Sequence, residues 1–277
     1  MKVLVTGSEG FIGKATCRLL KERGYEVVPF DLKLGQDITT LSHLRKVEQC
    51  DSVIHLAAVS STNWAIANPK EAFSTNVFGT YLLLSECLRR GIKNFVYASS
   101  YRVVDPHASN PYIVSKTLEE VVTNMFKNSY SFSVIGLRYT CVYGPEGFSK
   151  QYAMNILNQI IEASLTGKVI DIVGDGSQTR DFVFVDDVAW CNRQAFESGI
   201  QGIYDVGTGH QTKINDVIEL VEEITGKEVK VNYTRDYPED YMRRQQAQTY
   251  LSLFHCPTPL REGINQCKQS YLRVGSI

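Results

Sequence analysis

Three side chains stand where they can take a proton from an alcohol. Ser100 ends a short apolar run, Asn94 to Ala98 followed by Ser99-Ser100, and Tyr112 and Lys116 follow on a helical pattern that starts near Asn110-Pro111. Tyr112 and Lys116 are four residues apart, so a helix stacks them on one face. A phenol with a reference pKa of about 10 is a poor base at neutral pH, and bringing it near 7 takes roughly 4 kcal/mol of preferential stabilisation of the phenolate. An ammonium one turn away supplies part of that, and a positively charged nicotinamide would add to it. Ser100 can hydrogen-bond the substrate oxygen that Tyr112 deprotonates. The set suits removal of a proton from an alcohol while hydride leaves its carbon. A tyrosine and a lysine one turn apart are common on exposed helices, so the pair carries weight only with its surroundings.

Those surroundings begin at the first residues. Lys2 to Val5 reads as a buried strand, the chain breaks at Thr6-Gly7, and a helical pattern starts at Phe11 and continues through Ile12, Ala15 and Leu19. Gly7, Gly10 and Gly13 lie between and within them. A glycine turn opening a helix offers unpaired N–H groups at the positive end of the helix dipole, which suits a pyrophosphate. Gly7 permits the sharp turn, Gly10 the approach of backbone to phosphate, and Gly13 close packing of helix on strand. A second strand, Tyr25 to Phe30, ends at Asp31, eighteen residues after Gly13. A carboxylate there can accept from ribose hydroxyls and would repel a 2′-phosphate, which favours NAD over NADP, with Lys33 near enough to soften the preference.

Farther along, Gly35-Gln36-Asp37-Ile38 precedes a helix through Leu41, Leu44 and Val47, and Asp37 with Ile38 can flank an adenine ring. Asp51 to Ala58 reads as a buried strand whose end, Leu56-Ala57-Ala58, lets backbone pass close to a cofactor; His55 within it reads as a core residue. A long helix is expected from about Lys70 to Arg90, stopped by Gly91, with Asn76 a polar residue on its apolar face that can support the catalytic centre. Phe132 to Leu137 is a further strand. Alternating strands and helices mean a parallel sheet covered on both faces. Beyond Tyr143-Gly144-Pro145 the rhythm changes. Helices are expected over Tyr152 to Leu165, Asp186 to Glu197 and Asn215 to Thr225, with extended runs at Val169 to Val173, Phe182 to Val185, Ile203 to Val206 and Val229 to Tyr233. The last forty residues read as polar and irregular.

The fold class expected is α/β, a Rossmann-type doubly wound parallel sheet with a smaller α/β C-terminal substrate domain. Residues 1–141 plus about 181–205 form the NAD-binding part, and about 142–180 and 206–277 form the substrate part, as the far wall of a cleft. Charge is nearly balanced, with 29 basic and 30 acidic residues, and no basic stripe points to nucleic acid. No run of eighteen apolar residues points to a membrane span, and the chain opens on a strand pattern, so no secretion signal is expected. None of the seven cysteines forms a C-x-x-C pair, so no metal site is expected; reduced thiols in a cytoplasmic protein are the economical reading.

Taken in order, the segments VTGSEGFIG, HLAA, NVFGT, FVYASS, PYIVSK, LRYTCVYGP, GDGSQTRDFVFVDDVA and YDVGTG resemble an extended short-chain dehydrogenase/reductase of the NAD-dependent nucleotide-sugar epimerase/dehydratase family, of UDP-glucose 4-epimerase type. The likeness runs from residue 3 to about residue 209 and is looser beyond. It implies an enzyme that holds NAD and a nucleotide sugar and dimerises through the two helices that begin near Lys70 and Asn110. Tyr112 would remove the sugar hydroxyl proton, Lys116 would bind the nicotinamide ribose, Ser100 would assist at the sugar oxygen, and Tyr139 lies where the family contacts the nicotinamide. Phe11, Ile12, Leu32 and Ser99 complete the expected cofactor set. Cys141, Arg180, Arg235 and Arg243 join Ser100 as expected substrate ligands.

The chain departs from that pattern in four places. Ser100 and Tyr112 are only twelve apart, and Val103-Val104-Asp105 replaces the usual V-Y-G. Cys141 replaces an asparagine, and in YPEDYMRRQQAQ Gln248 replaces an aspartate. The family's dehydratases carry Asp-Glu after the hydroxyl residue, and its decarboxylases a glutamate; here Tyr101 and Arg102 stand there, and neither can act as that acid or base. A 4-epimerase needs no further acid or base, since the ketone turns over and takes hydride back on its other face. That makes a UDP-hexose 4-epimerase the leading expectation. The alternatives are a reductase of nucleotide-linked 4-keto sugars, another activity of the same family, and a catalytically idle NAD-binding protein.

Overall fold

The computed structural model describes residues 1–104, 110–148, 155–234 and 257–274. The chain folds as two compact units, one of residues 1–139 with 188–205 and one of residues 140–187 with 206–277.

In the first unit the β-branched run after Met1 forms β1 (Lys2–Thr6), the glycine turn leads into α1 (Phe11–Glu22), and β2 (Glu26–Phe30) follows. Then come α2 (Leu41–Lys46), β3 (Ser52–His55), α3 (Thr62–Ala67), α4 (Pro69–Phe73), α5 (Thr80–Arg90) and β4 (Asn94–Ser100). After these lie α6 (Pro111–Tyr130) and β5 (Ser133–Tyr139). The strands run parallel in the order β2-β1-β3-β4-β5, in register Val3↔Val27, Val3↔Ser52, Ser52↔Asn94 and Asn94↔Ser133. The order reverses between β1 and β3, and open α/β sheets bind ligands at such a switch, beyond the carboxyl ends of the strands. One apolar cluster under the sheet gathers Leu4, Val28, Val53, Leu84, Phe95, Phe126 and Phe132.

The second unit holds β6 (Cys141–Tyr143), α7 (Ile156–Thr166), β7 (Ile170–Val173), β8 (Thr179–Arg180) and β9 (Phe182–Phe184). The chain continues with α8 (Val185–Ser198) and β10 (Gly202–Val206), which lies beside β5 at the edge of the first sheet. β11 (Thr212–Lys213), α9 (Ile214–Thr225), β12 (Val231–Thr234) and α10 (Leu260–Val274) complete the chain. Of three two-stranded ribbons, β6-β9, β7-β12 and β8-β11, the first two pack with α7, α9 and α10 around Tyr143, Leu157, Ile161, Phe182, Val217 and Ile264. Gly226 ends α9 in the left-handed conformation (φ 70°), as its place after the helical pattern predicts.

Three expectations are corrected. The last forty residues are not irregular throughout, because α10 buries Ile264 and Cys267 in the second core. The long helix expected from Lys70 begins at Pro69 and widens into a π turn over Ser74–Gly79 before α5, and a short helix, α3, precedes it. The strand expected over Asp51 to Ala58 ends at His55, which leaves Leu56 to Ala58 as irregular backbone facing the glycine turn. The expected start of α7 at Tyr152 lies outside the described residues, and the helix is described from Ile156.

Candidate active site

The glycine turn is tight enough to exclude any other residue. A Cβ on Gly13 would come 1.9 Å from the Gly7 carbonyl oxygen, and one on Gly10 would come 2.9 Å from it. Gly7 has φ +70°, and a Cβ there would meet Ala57 N at 2.6 Å and the Leu56 carbonyl at 2.8 Å. Gly7 N donates to the Phe30 carbonyl at 2.8 Å. The turn, the end of β2 and Leu56-Ala57 therefore meet at the switch point. Among the described residues no side chain caps α1, and no acidic residue stands in its first turn, which leaves the positive end of the helix open to an anion.

Asp31 is buried beside this turn and accepts from Glu9 N and Lys33 N, both at 2.9 Å. A carboxylate has about four acceptor positions, so these two leave room for ribose hydroxyls. Lys33 Nζ donates to the Glu9 carbonyl at 3.1 Å. Leu32 is exposed, and Phe11, Ile12 and Ala58 are half-buried. Asp37 closes its own turn by accepting from Thr39 N and Oγ1 at 2.8 and 2.7 Å. Ile38 is buried over Gly79, where a Cβ would meet it at 2.7 Å.

The catalytic side chains expected from the sequence stand on β4 and α6. Asn110 caps α6 by accepting from Ile113 N at 3.1 Å, and Pro111 fits the first turn because its missing N–H needs no partner. Tyr112 is half-buried in that turn. Lys116, one turn on, is 3% exposed and donates to the Ala98 carbonyl at 2.9 Å and to Glu119 Oε2 at 2.6 Å. An ammonium has three donors, so one remains for a ligand. Ser100, at the end of β4, is buried and accepts from Arg102 N at 3.3 Å. Ser99 turns the other way, donating to Glu120 at 2.6 Å, and Arg138 grips the same carboxylate through Nε (2.8 Å) and Nη2 (2.6 Å).

Asn76 occupies the π turn, a helix distortion often found at functional sites. Its amide accepts from Val59 N at 2.8 Å and donates to the Val59 carbonyl (3.1 Å) and to Ser115 Oγ (2.9 Å). It thus ties the backbone after β3 to α6 between Tyr112 and Lys116. Tyr139 is engaged elsewhere: its hydroxyl donates to Asn192 Oδ1 at 2.6 Å, and Asn192 donates to Thr16 at 3.0 Å. Burial pushes the Tyr139 phenol well above its ordinary range.

Sequence reasoning passed over a buried set behind Lys116. Glu119 is 1% exposed, and burial pushes its carboxyl up to about 7 even though Lys116 pulls it down. His55 Nε2 lies 3.8 Å from Glu119 Oε1. The Thr80 hydroxyl gives its one proton to the Asn76 carbonyl at 2.7 Å, so His55 Nε2–H donates to Thr80 at 2.9 Å. His55 Nδ1 then accepts from Thr6 at 2.6 Å. Burial, with Lys116 adding to it, pushes the imidazole down to about 3 and keeps it neutral. The available signal was an acid three residues after the lysine on a helix whose apolar residues do not all face inward.

In the second unit Cys141 pairs with Phe182 across β6 and β9, and its N–H donates to the Asp181 carbonyl at 2.9 Å. Burial pushes the Cys141 thiol up to about 11, against the nearby Arg180 charge. Arg180 is half-buried on β8, and Asp181 beside it accepts from Thr208 N, Thr208 Oγ1 and Gly209 N at 2.7–2.9 Å. Arg235 and Arg243 lie outside the described residues. Among the described residues no group of His, Cys, Asp and Glu is placed to hold a metal ion, and no helix is long and apolar enough to cross a membrane.

Residues 3–207 match the sequence pattern of the NAD dependent epimerase/dehydratase family. A UDP-glucuronate 4-epimerase of Thermodesulfobacterium geofontis is 30% identical, over 86% of this chain and 84% of that protein. Among solved structures, a Thermotoga maritima UDP-glucose 4-epimerase with UDP-glucose superposes with a TM-score of 0.90 at 27% identity, covering 99% of both chains. A Thermus thermophilus UDP-glucose 4-epimerase in complex with NAD gives 0.87 at 27% identity, covering 98% of this chain and 99% of that one.

Proposed function

The chain belongs to the NAD-dependent epimerase/dehydratase family, and on that footing we propose that it is an NAD-dependent 4-epimerase of nucleotide-linked hexoses, UDP-hexoses first among them. The cradle fits the cofactor: no Cβ has room at Gly7, Gly10 or Gly13, the end of α1 is open, and Asp31 keeps acceptor capacity for a ribose. When bound, NAD supplies the acceptor for hydride from the sugar C4 and gives it back. The chain's own residues manage the proton. Tyr112 takes it from the 4-hydroxyl, Ser100 hydrogen-bonds the same oxygen, and Lys116 supplies the positive charge that favours the phenolate. With C4 a ketone, the sugar turns in its site so that hydride would return to the opposite face of C4, and Tyr112 returns the proton to the C4 oxygen. Arg180 and Cys141 are proposed contacts to the substrate, as are Arg235 and Arg243.

The observation that supports this reading is the set on β4 and α6: Ser100 ends β4 and Tyr112 and Lys116 lie in the first turns of α6, while Tyr101 and Arg102 follow Ser100 where an acid–base pair would be needed to eliminate water. The first unit also fits a homodimer. Phe78, Tyr81, Leu118, Val121 and Met125 expose large apolar surface on the stretch from the π turn into α5 and on α6, which a second copy of the same face would cover. Among the described residues no cysteine forms a disulfide, as a reducing cytoplasm would keep them.

Purified protein tests the reading against a panel of UDP-hexoses and UDP-hexuronates supplied as pure 4-epimers, with nicotinamide fluorescence followed in parallel. Interconversion of one pair without net NADH change is expected. Consumption of NADH or NADPH by a 4-keto sugar, with no pair interconverted, would make the protein a reductase. Absence of both reactions, with NAD retained, would make it an idle binder.

A further inference from the structure

On the reading of Tyr112 as the base, we propose that Glu119 is a positioning residue: its carboxylate fixes Lys116 against the Ala98 carbonyl and screens the ammonium from Tyr112, so that the strength of the base depends on the charge of Glu119. The geometry is that of a counter-ion with no other support. Glu119 Oε2 lies 2.6 Å from Lys116 Nζ, while Oε1, fully buried, has no hydrogen-bond partner among the described residues. The donor facing Oε1 is His55 Nε2–H at 3.8 Å, whose proton is committed to Thr80. A carboxylate so poorly solvated sits close to changing charge near neutral pH, whereas a fully hydrogen-bonded one would stay ionised.

Among the described residues, the groups facing Glu119 leave Lys116 as its one close cation. On α6, Glu120 is an anion held by Arg138 of β5, so that guanidinium is already matched. His55 of β3 is neutral, and Tyr97 of β4 and Tyr139 of β5 have phenols that burial pushes up and keeps protonated. With Glu119 ionised, a carboxylate 2.6 Å from the ammonium offsets the charge that Lys116 presents to Tyr112. With Glu119 protonated, that offset is gone. Tyr112 and Glu119 therefore compete for one ammonium as pH rises, and their titrations spread each other out.

Tyrosine labelled with ¹³C at Cζ reports this on the cofactor-loaded protein, with Tyr112→Phe assigning the signal. Tyr112 in the unmodified protein is expected to titrate over a broad range, with a slope below one. Glu119→Gln should sharpen it to a slope of one and lower the midpoint by about one pH unit, a tenfold change in the phenolate ratio. Glu119→Asp, which keeps the charge, should keep the broad curve. The acid limb of kcat/KM should move in the same way. Identical midpoint and slope in Glu119→Gln and the unmodified protein would overturn the proposal, even if the melting temperature changed. Should Glu119→Gln not fold, a slope of one in the unmodified protein would overturn it and a slope below one would uphold it. The label needs no turnover, so failure of every sugar nucleotide would sink the proposed activity and leave this test intact.

Discussion

At the scale of single residues, the site behind Tyr112 is a chain of polar groups whose protons can be followed one by one. Thr80 donates to the Asn76 carbonyl, His55 donates to Thr80, and Thr6 donates to His55. The histidine is thereby held neutral in a buried position next to a lysine. Its folded pKa is depressed to about 3 from an ordinary 6.5. A depressed pKa means that the folded protein resists the proton that the unfolded chain accepts. The stability this group contributes is complete above about pH 6.5 and is lost as pH falls toward 3. We expect the His55 ring nitrogens in a ¹⁵N-labelled sample to keep the signals of a neutral ring between pH 5 and 8, a range taken around the ordinary value of about 6.5, with only a small displacement as Glu119, 3.8 Å away, changes charge. Conversion to the imidazolium pattern with its midpoint near that value would contradict the tautomer and the burial together. The placement of Ser100 at the end of β4 and of Tyr112 and Lys116 one turn apart on α6 was legible from residue type and spacing. Glu119 was not, because an acid three residues from a lysine on a helix usually marks a solvated surface pair.

At the scale of elements, α6 inverts the usual arrangement of a surface helix. Its buried positions include Ser115, Lys116, Glu119, Glu120 and Thr123, while Leu118, Val121 and Met125 are exposed. Polar groups point inward, toward the end of the sheet, and apolar groups point outward, onto the face proposed above as the contact between two copies. Tyr81 and Phe126, with ring centroids 6.0 Å apart, join α5 to α6 beside that apolar face. Val121→Asp places a charge at a position 59% exposed in the single chain, where it should fold normally. Light scattering should then show the unmodified protein as a dimer and the variant as a monomer; a variant still dimeric would remove this face as the interface. The π turn at Asn76 was not legible, since the partners of the Asn76 side chain, Val59 and Ser115, are both distant in sequence. α10 could have been read: Leu260, Ile264, Cys267 and Tyr271 recur at helical spacing, but Arg, Glu, Gln and Lys between them lower the local hydrophobicity.

At the scale of the molecule, the parallel sheet with its glycine turn was the most legible part, because strand, turn and helix each demand particular residue types at fixed offsets. The second unit was less so: its two-stranded ribbons are short, and β8 and β11 have two residues each, too few to show an alternating pattern. What the whole protein is held to do is oxidise a sugar and reduce it again without letting go of the cofactor. The fate of the hydrogen on C4 tests this most directly. A UDP-hexose carrying deuterium at C4, drawn from the pair that the protein interconverts, should give an epimer with deuterium still at C4 and no NADH released. Loss of the label to solvent, or its appearance in added nicotinamide cofactor, would contradict the account.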